Sequence, residues 1–334
     1  MPRFSSREVR SPLTQEMLSP FPTPEGSVVF SSMLTDSDFM RLADWIRGYP
    51  QLSLRVGSSG KPGGTIADLE FLRFFPFIRH FGAVTLFQSL QSIEGLRHVS
   101  PDLESLDIGA TKYKLDLTVL ERFTGLKTLQ LDGQTKGIAA ISQLTELEDL
   151  TLRSITLPDL SLLLPMTGLR ALDIKLGGTK DLSLLPRIGK LEYLELWMVK
   201  GLTDLSAVGR LPHLRYLFLQ ALRRVDALPD LSMNKELRHI YIRTMNGLRD
   251  LRPLATAPAL EQLLLIDMRH LQPEDLRPLV GLPNLKGVDI GLGSDRKNRA
   301  AEALLHLPGA TWLNGEWRWV YGRLQTLDAG PTTL

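Results

Sequence analysis

Apolar residues along most of this chain fall into one recurring phrase, Leu-x-x-Leu-x-Leu. It starts at Phe81, Leu103, Leu126, Leu147, Leu169, Leu191, Leu214, Leu237, Leu260 and Leu285, so successive copies lie 21 to 25 residues apart. A strand alternates its side chains, which sends Leu194 and Leu196 to one face and Tyr193, Glu195 and Trp197 to the other. Between copies the spacing changes to three, as in Leu202, Leu205, Val208 and Leu211. A period of three breaks a strand and fits a short 3₁₀ return segment with one face inward. Each copy therefore reads as one coil of a solenoid: a strand, a turn and a return.

Repeats of 20 to 29 residues carrying this phrase, joined by Leu-x-Asp-Leu linkers (Leu202, Asp204, Leu205; Leu248, Asp250, Leu251), resemble the leucine-rich repeat family. The short repeats are most similar to its internalin-like and phosphatase-regulatory subclass. The resemblance implies an α/β solenoid, a horseshoe with a parallel sheet on its concave face and 3₁₀ or irregular segments on the convex face. It also implies that the concave face binds other macromolecules. The chain departs from the family in one respect. Where an Asn or Cys usually follows the strand phrase there stand Thr111, Gln134, Ile155, Gly177, Val199, Leu222, Met245, Met268 and Gly293. Without an asparagine ladder, water or shifted turns must satisfy the buried backbone groups.

The ends read differently. Residues 1–30 hold Pro12, Pro20, Pro22 and Pro24 among serines and are expected to be a disordered tail. Residues 31–79 form an N-terminal capping region. Its helix is announced by Thr35 and Asp38 and by Phe39, Leu42, Ala43 and Ile46 on one face; a degenerate strand phrase follows from Tyr49 to Leu54. The loop from Gly57 to Thr65 precedes a second helix at 66–75, but Lys61 is followed by Pro62 and lacks the frame of a phosphate loop. Residues 80–293 are about ten repeats, and 294–334 are a C-terminal cap and tail. The cap consists of an amphipathic helix from Ser294 and a covering group of Trp312, Trp317, Trp319 and Tyr321.

Composition narrows the functions. Thirty-nine basic residues face 37 acidic ones, a net charge of +2, which builds no global field to demand nucleic acid or an anionic membrane. The absence of cysteine removes disulfides, thiolate metal sites and cysteine nucleophiles. No run of 18 apolar residues and no signal-peptide core appears, so the expectation is a cytoplasmic, monomeric protein. The six histidines are dispersed, and no zinc-protease or serine-hydrolase motif occurs, so no metal, cofactor or enzymatic activity is expected. Asp149, Asp173 and Glu195, close to Arg153 and Lys175, read as a solvated charge ladder.

The positions that core packing leaves unexplained are the outward ones. From Ser105 to Lys175 they are mostly small or polar; from β-phrase six onward they become Tyr193, Glu195, Trp197, Tyr216, Phe218, His239, Tyr241, Arg243, Leu264 and Ile266. Aromatic clusters with a neighbouring Arg dominate binding energy at interfaces, so these ten are the candidate partner-binding residues, with Trp197 expected beside Phe218 and Tyr241. Lys175, Lys180, Lys200, Arg223, Arg224, Arg243 and Arg269 are expected to form a basic margin just beyond the strands. The expected function is a non-enzymatic scaffold that grips a protein partner, as an inhibitor or immunity factor, a regulatory subunit or an adaptor. Two alternatives stay open: nucleic-acid binding through the basic margin with aromatic stacking, and an enzyme using a concave-face carboxylate.

Overall fold

In a computed structural model, the protein is described over residues 5–23, 26–57, 66–310, 317–320 and 323–326. It divides into two compact units, Met1–Leu147 and Glu148–Leu334. In each, the strands of a parallel sheet follow one another in chain order, each hydrogen-bonded to its sequence neighbours within the unit.

The first unit contains β1 (Ser5–Glu8), β2 (Gly26–Phe30), β3 (Leu52–Val56), β4 (His80–Ala83), β5 (Ser105–Ile108) and β6 (Thr128–Asp132). The expected tail over 1–30 is thus in large part ordered. Ser5 to Glu8 pair in register with Gly26 to Val29, and Val9, Leu13 and Phe21 are buried. Arg7 does the holding: Nη1 donates to the carbonyls of Met17 and Ser19, Nη2 to that of Pro20, and the guanidinium lies over the rings of Phe21 and Trp45. Prolines forbid regular structure only where their missing N–H is needed, and here the carbonyls of the proline-rich loop are satisfied by a side chain. Helix α1 (Asp36–Ile46) is capped by Thr35, whose hydroxyl accepts from Asp38 N–H at 3.2 Å. Phe39 docks it on Phe30 of β2, ring centroids 5.6 Å apart, and on Phe71 at 5.5 Å. Phe71 lies in a 3₁₀ segment, Glu70–Phe74, that replaces the α-helix expected at 66–75. The loop expected between Gly57 and Thr65 lies, after Gly57, outside the described residues, as do the last eight residues of the chain.

The second unit carries β7 (Asp149–Arg153), β8 (Ala171–Lys175), β9 (Tyr193–Trp197), β10 (Tyr216–Gln220), β11 (His239–Arg243), β12 (Gln262–Ile266) and β13 (Gly287–Ile290). Leu172, Leu194, Leu217, Ile240 and Leu263 stack rung on rung, as do Ile174, Leu196, Leu219, Ile242 and Leu265, none more than 2% exposed. Short 3₁₀ segments such as Leu185–Arg187 and Val208–Arg210 return the chain behind these rows. After β13, helix α2 (Asp295–Leu305) is capped by Ser294, and β14 (Trp317–Val320) pairs antiparallel with β15 (Arg323–Thr326). Trp312 and Tyr321 of the expected cover lie outside the described residues.

The missing asparagine ladder is replaced by main chain. The residue directly after each of β7 to β12, namely Ser154, Leu176, Met198, Ala221, Thr244 and Asp267, sits in the left-handed region with φ between 51° and 60°. That turn aims the N–H of the first five at the last strand carbonyl of the next coil, from Ser154 to Lys175 at 2.7 Å through Thr244 to Ile266 at 3.0 Å. Deeper groups are satisfied one by one. Thr179 accepts from Leu157 N–H at 3.0 Å, Met245 Sδ from Leu222 N–H at 3.4 Å, and Asn234 donates to the carbonyls of Val208 and Leu211, both at 2.9 Å.

Candidate functional site

The strand register decides which outward side chains meet. Tyr193, Tyr216, His239 and Gln262 form one column, Glu195, Phe218, Tyr241 and Leu264 the next, and Trp197, Gln220, Arg243 and Ile266 the third. Parallel rungs lie about 4.8 Å apart, which brings the rings into contact. His239 stacks on Tyr216, centroids 4.7 Å apart at 9°; Phe218 lies 5.2 Å from Tyr193 and 5.6 Å from Tyr241. Trp197 stands away from this group, two columns from the Tyr193 row, with the Arg153 guanidinium 5.3 Å over its ring. Its expected place beside Phe218 and Tyr241 is therefore corrected: register puts it level with Lys175 and Gln220.

Exposure divides the ten candidates. Tyr193 and Leu264 are 4% and 1% exposed and are not available to a partner. Trp197, Tyr216, Phe218, His239, Tyr241, Ile266 and Glu195 are partly buried, and Arg243 is exposed while donating to Asp267 at 3.0 Å. Tyr193 is covered because Phe218 packs on it and its hydroxyl turns inward, donating to Glu195 Oε2 at 3.0 Å. It supports the ring row from beneath. Burial pulls His239 down to about 4, so its ring is a neutral stacking partner at ordinary pH.

The acidic ladder is not solvated. Thr151, Asp173 and Glu195 occupy one column, and the Lys175 ammonium lies 2.8 Å from Glu195 and 3.4 Å from Asp173; side-chain exposures are 15% for Asp173, 17% for Glu195 and 19% for Lys175. Thr151 donates to Asp173 Oδ2 at 3.0 Å. Burial pushes the Asp173 carboxyl up to about 7, with Lys175 opposing and Glu195 assisting. Asp149, 5% exposed and level with Ala171, is raised well above the usual carboxylate range by burial and then by the charge of Asp173. Lys175 is raised because the two carboxylates outweigh its own burial. The cluster fixes Tyr193 through Glu195, and so fixes the floor on which Phe218 rests.

The basic margin also separates. Lys175 belongs to the acidic cluster and Arg243 to Asp267, whereas Lys180, Lys200, Arg223 and Arg224 line a groove of ≈ 510 Å³ just past the ends of β8, β9 and β10. A smaller groove of ≈ 380 Å³ lies in the first unit between Ile46 and Phe77. Asp173 lines neither. Among the described residues, no group of three or more His, Cys, Asp or Glu side chains could hold a metal ion, and no helix is long and apolar enough to cross a membrane.

No protein-family model and no curated protein matches the sequence. Solved structures do match. An internalin of Listeria monocytogenes, inlF, superposes with a TM-score of 0.54 over 84% of this chain and 89% of that one, at 18% identity. The chain has the leucine-rich-repeat fold. Internalin C2 of the same organism matches 60% of this chain and 76% of its own with a TM-score of 0.40 at 25% identity. A leucine-rich-repeat protein of Leptospira interrogans matches 84% and 88% with a TM-score of 0.39 at 16% identity.

Within the leucine-rich-repeat coils, the phrase itself holds the signal for the acidic column. Thr151, Asp173 and Glu195 all stand between the second and third apolar positions of their copies. Counting position within the phrase, rather than distance to the nearest basic residue, places them in one column. That Lys175 lies against Asp173 and Glu195, and that Tyr193 donates to Glu195, no spacing rule reveals. The groove is marked by the left-handed residues Leu176, Met198 and Ala221, each the first after its strand.

Proposed function

We propose that the chain is a protein-interaction scaffold that holds a protein partner on the outward sheet face of β9 to β12. The observation that carries this is the contiguous row His239–Tyr216 and Tyr241–Phe218, packed ring to ring and still reaching solvent, with Trp197 and Arg243 at its border. Rings locked by their neighbours lose little rotamer freedom on binding, which favours them as anchors. Tyr193, Glu195 and Leu264 act beneath that surface as support, and Ile266 extends it beside Arg243. The leucine-rich-repeat fold supports the same reading, because stacked coils present one broad, rigid sheet face.

Capture from host extract with the intact chain, compared with a Tyr216→Ala/Phe218→Ala variant, tests the assignment. Both rings lie opposite the leucine rows, so the variant is expected to unfold cooperatively like the parent while losing the captured protein about a hundredfold, two anchors at ~1.5 kcal/mol each. Retention of the partner by the variant would place the contact elsewhere.

A further inference from the structure

The groove past β8 to β10 lies apart from the ring row and shares no residue with it. Its floor is apolar: Leu176 and Ala221 are partly buried, and Met198 is 36% exposed, unusual for a large apolar side chain on a coil whose leucines are otherwise closed off. Its walls are cationic: Lys180 on the β8 coil, Lys200 on the β9 coil, Arg223 and Arg224 on the β10 coil, all exposed. No carboxylate lines the groove, and among the described residues none of the four cations makes an ion pair. Some exposed basic residues of this unit do stand against acids, as Arg215 does with Glu236 and Glu192, Arg238 with Glu261, and Lys286 with Glu261; the four in the groove instead converge on one floor. Four cations without a counter-charge around an apolar floor leave the site complementary to an anion that also carries an apolar group.

Spacing narrows the class. Three rungs at about 4.8 Å extend the cations over ~10 Å, the length of three residues of extended chain at ~3.3 Å each. A single phosphate would meet one rung; an extended acid–apolar–acid segment meets all three. The groove is also shaped for a chain. Gly201, at φ 78°, lies under the stem of Lys180, whose Cε would be 2.7 Å from any Cβ placed there. The missing side chain lets that lysine lie down as a wall rather than stand in the groove.

We infer that this groove binds an acidic, extended peptide segment, with the apolar side chain on Met198 and flanking carboxylates on Lys180, Lys200 and Arg224. The inference does not depend on the ring row, and the test separates the two. Anisotropy of a fluorescein-labelled Glu-Asp-Leu-Glu-Asp peptide is measured on the full chain, on Lys200→Glu/Arg224→Glu, on Met198→Ser and on Tyr216→Ala/Phe218→Ala. The charge-reversal variant is expected to bind about tenfold more weakly or less. Met198→Ser, and a peptide with Ser in place of Leu, are each expected to weaken binding about tenfold through lost apolar burial. The ring variant should bind unchanged, and raising salt from 50 to 500 mM should weaken binding several-fold. Equal binding by the Gln-Asn-Leu-Gln-Asn peptide, or undiminished binding by the charge-reversal variant, would overturn the inference. So would displacement of the peptide by an oligothymidine strand or by phosphatidylserine vesicles at matched charge, because the groove would then belong to a different ligand.

Discussion

Asp173 links the stability of the second unit to pH. Its folded pKa of about 7 stands above the ordinary value of 3.8. Such a carboxyl binds its proton more tightly in the folded state, so the stability it contributes is complete below the ordinary value and is lost as pH rises through 7. His80 and His239, both drawn down to about 4 by burial, act the other way, and what they contribute is lost as pH falls. The difference between variants isolates the carboxyl: urea unfolding of Asp173→Asn is expected to lose less stability between pH 5 and pH 8 than the parent does. Parallel losses would mean that Asp173 is already ionised at pH 5. At this scale the sequence is informative about direction and silent about burial. Alternation told that Tyr193 and Leu264 point outward; only packing shows that Phe218 closes over the first.

At the scale of the element, the turn after each strand decides more than any side chain in it. Ala221 adopts φ 52°, a conformation that disfavours an L-residue by roughly 1–2 kcal/mol, whereas replacing Ala by Gly loosens the unfolded chain by only about 0.4–1 kcal/mol. Ala221→Gly should therefore stabilise the protein by about 0.5–1 kcal/mol, and Ala221→Val, β-branched at the same φ, should destabilise it; denaturant midpoints give both signs. The core rows obey a different rule. Leu194 is fully buried between Leu172 and Leu217, so Leu194→Ala should lose about 2–5 kcal/mol in the same measurement. These rows were legible because apolar residues at period two and period three leave a spacing that survives any surface change. The left-handed turns were not, because nothing in Leu176, Met198 or Thr244 marks a residue type that prefers them.

For the whole chain, ten in-phase copies were enough to recognise coils, but the coils begin earlier than the phrase does. Ser5 to Glu8 contain no leucine, and their strand exists because Arg7 gathers three carbonyls and two rings around itself. Arg7→Ala should release that segment: hydrogen exchange is expected to quicken in β1 and β2 while β8 to β10 keep their protection. Slowed or unchanged exchange at β2 would show that the strand pair holds without it. β1 covers one side of β2, so among the described residues β2 offers no open edge there to another chain.

Because the turn after each of β7 to β11 is linked to the next coil through amide and carbonyl, the side chain standing on it takes no part in that link and has only to tolerate the left-handed backbone. Ser154, Leu176, Met198, Ala221 and Thr244 differ in size and polarity, yet share one backbone shape. A rim built this way can be rewritten residue by residue to suit a new ligand, as interchangeable letters on a fixed line of type.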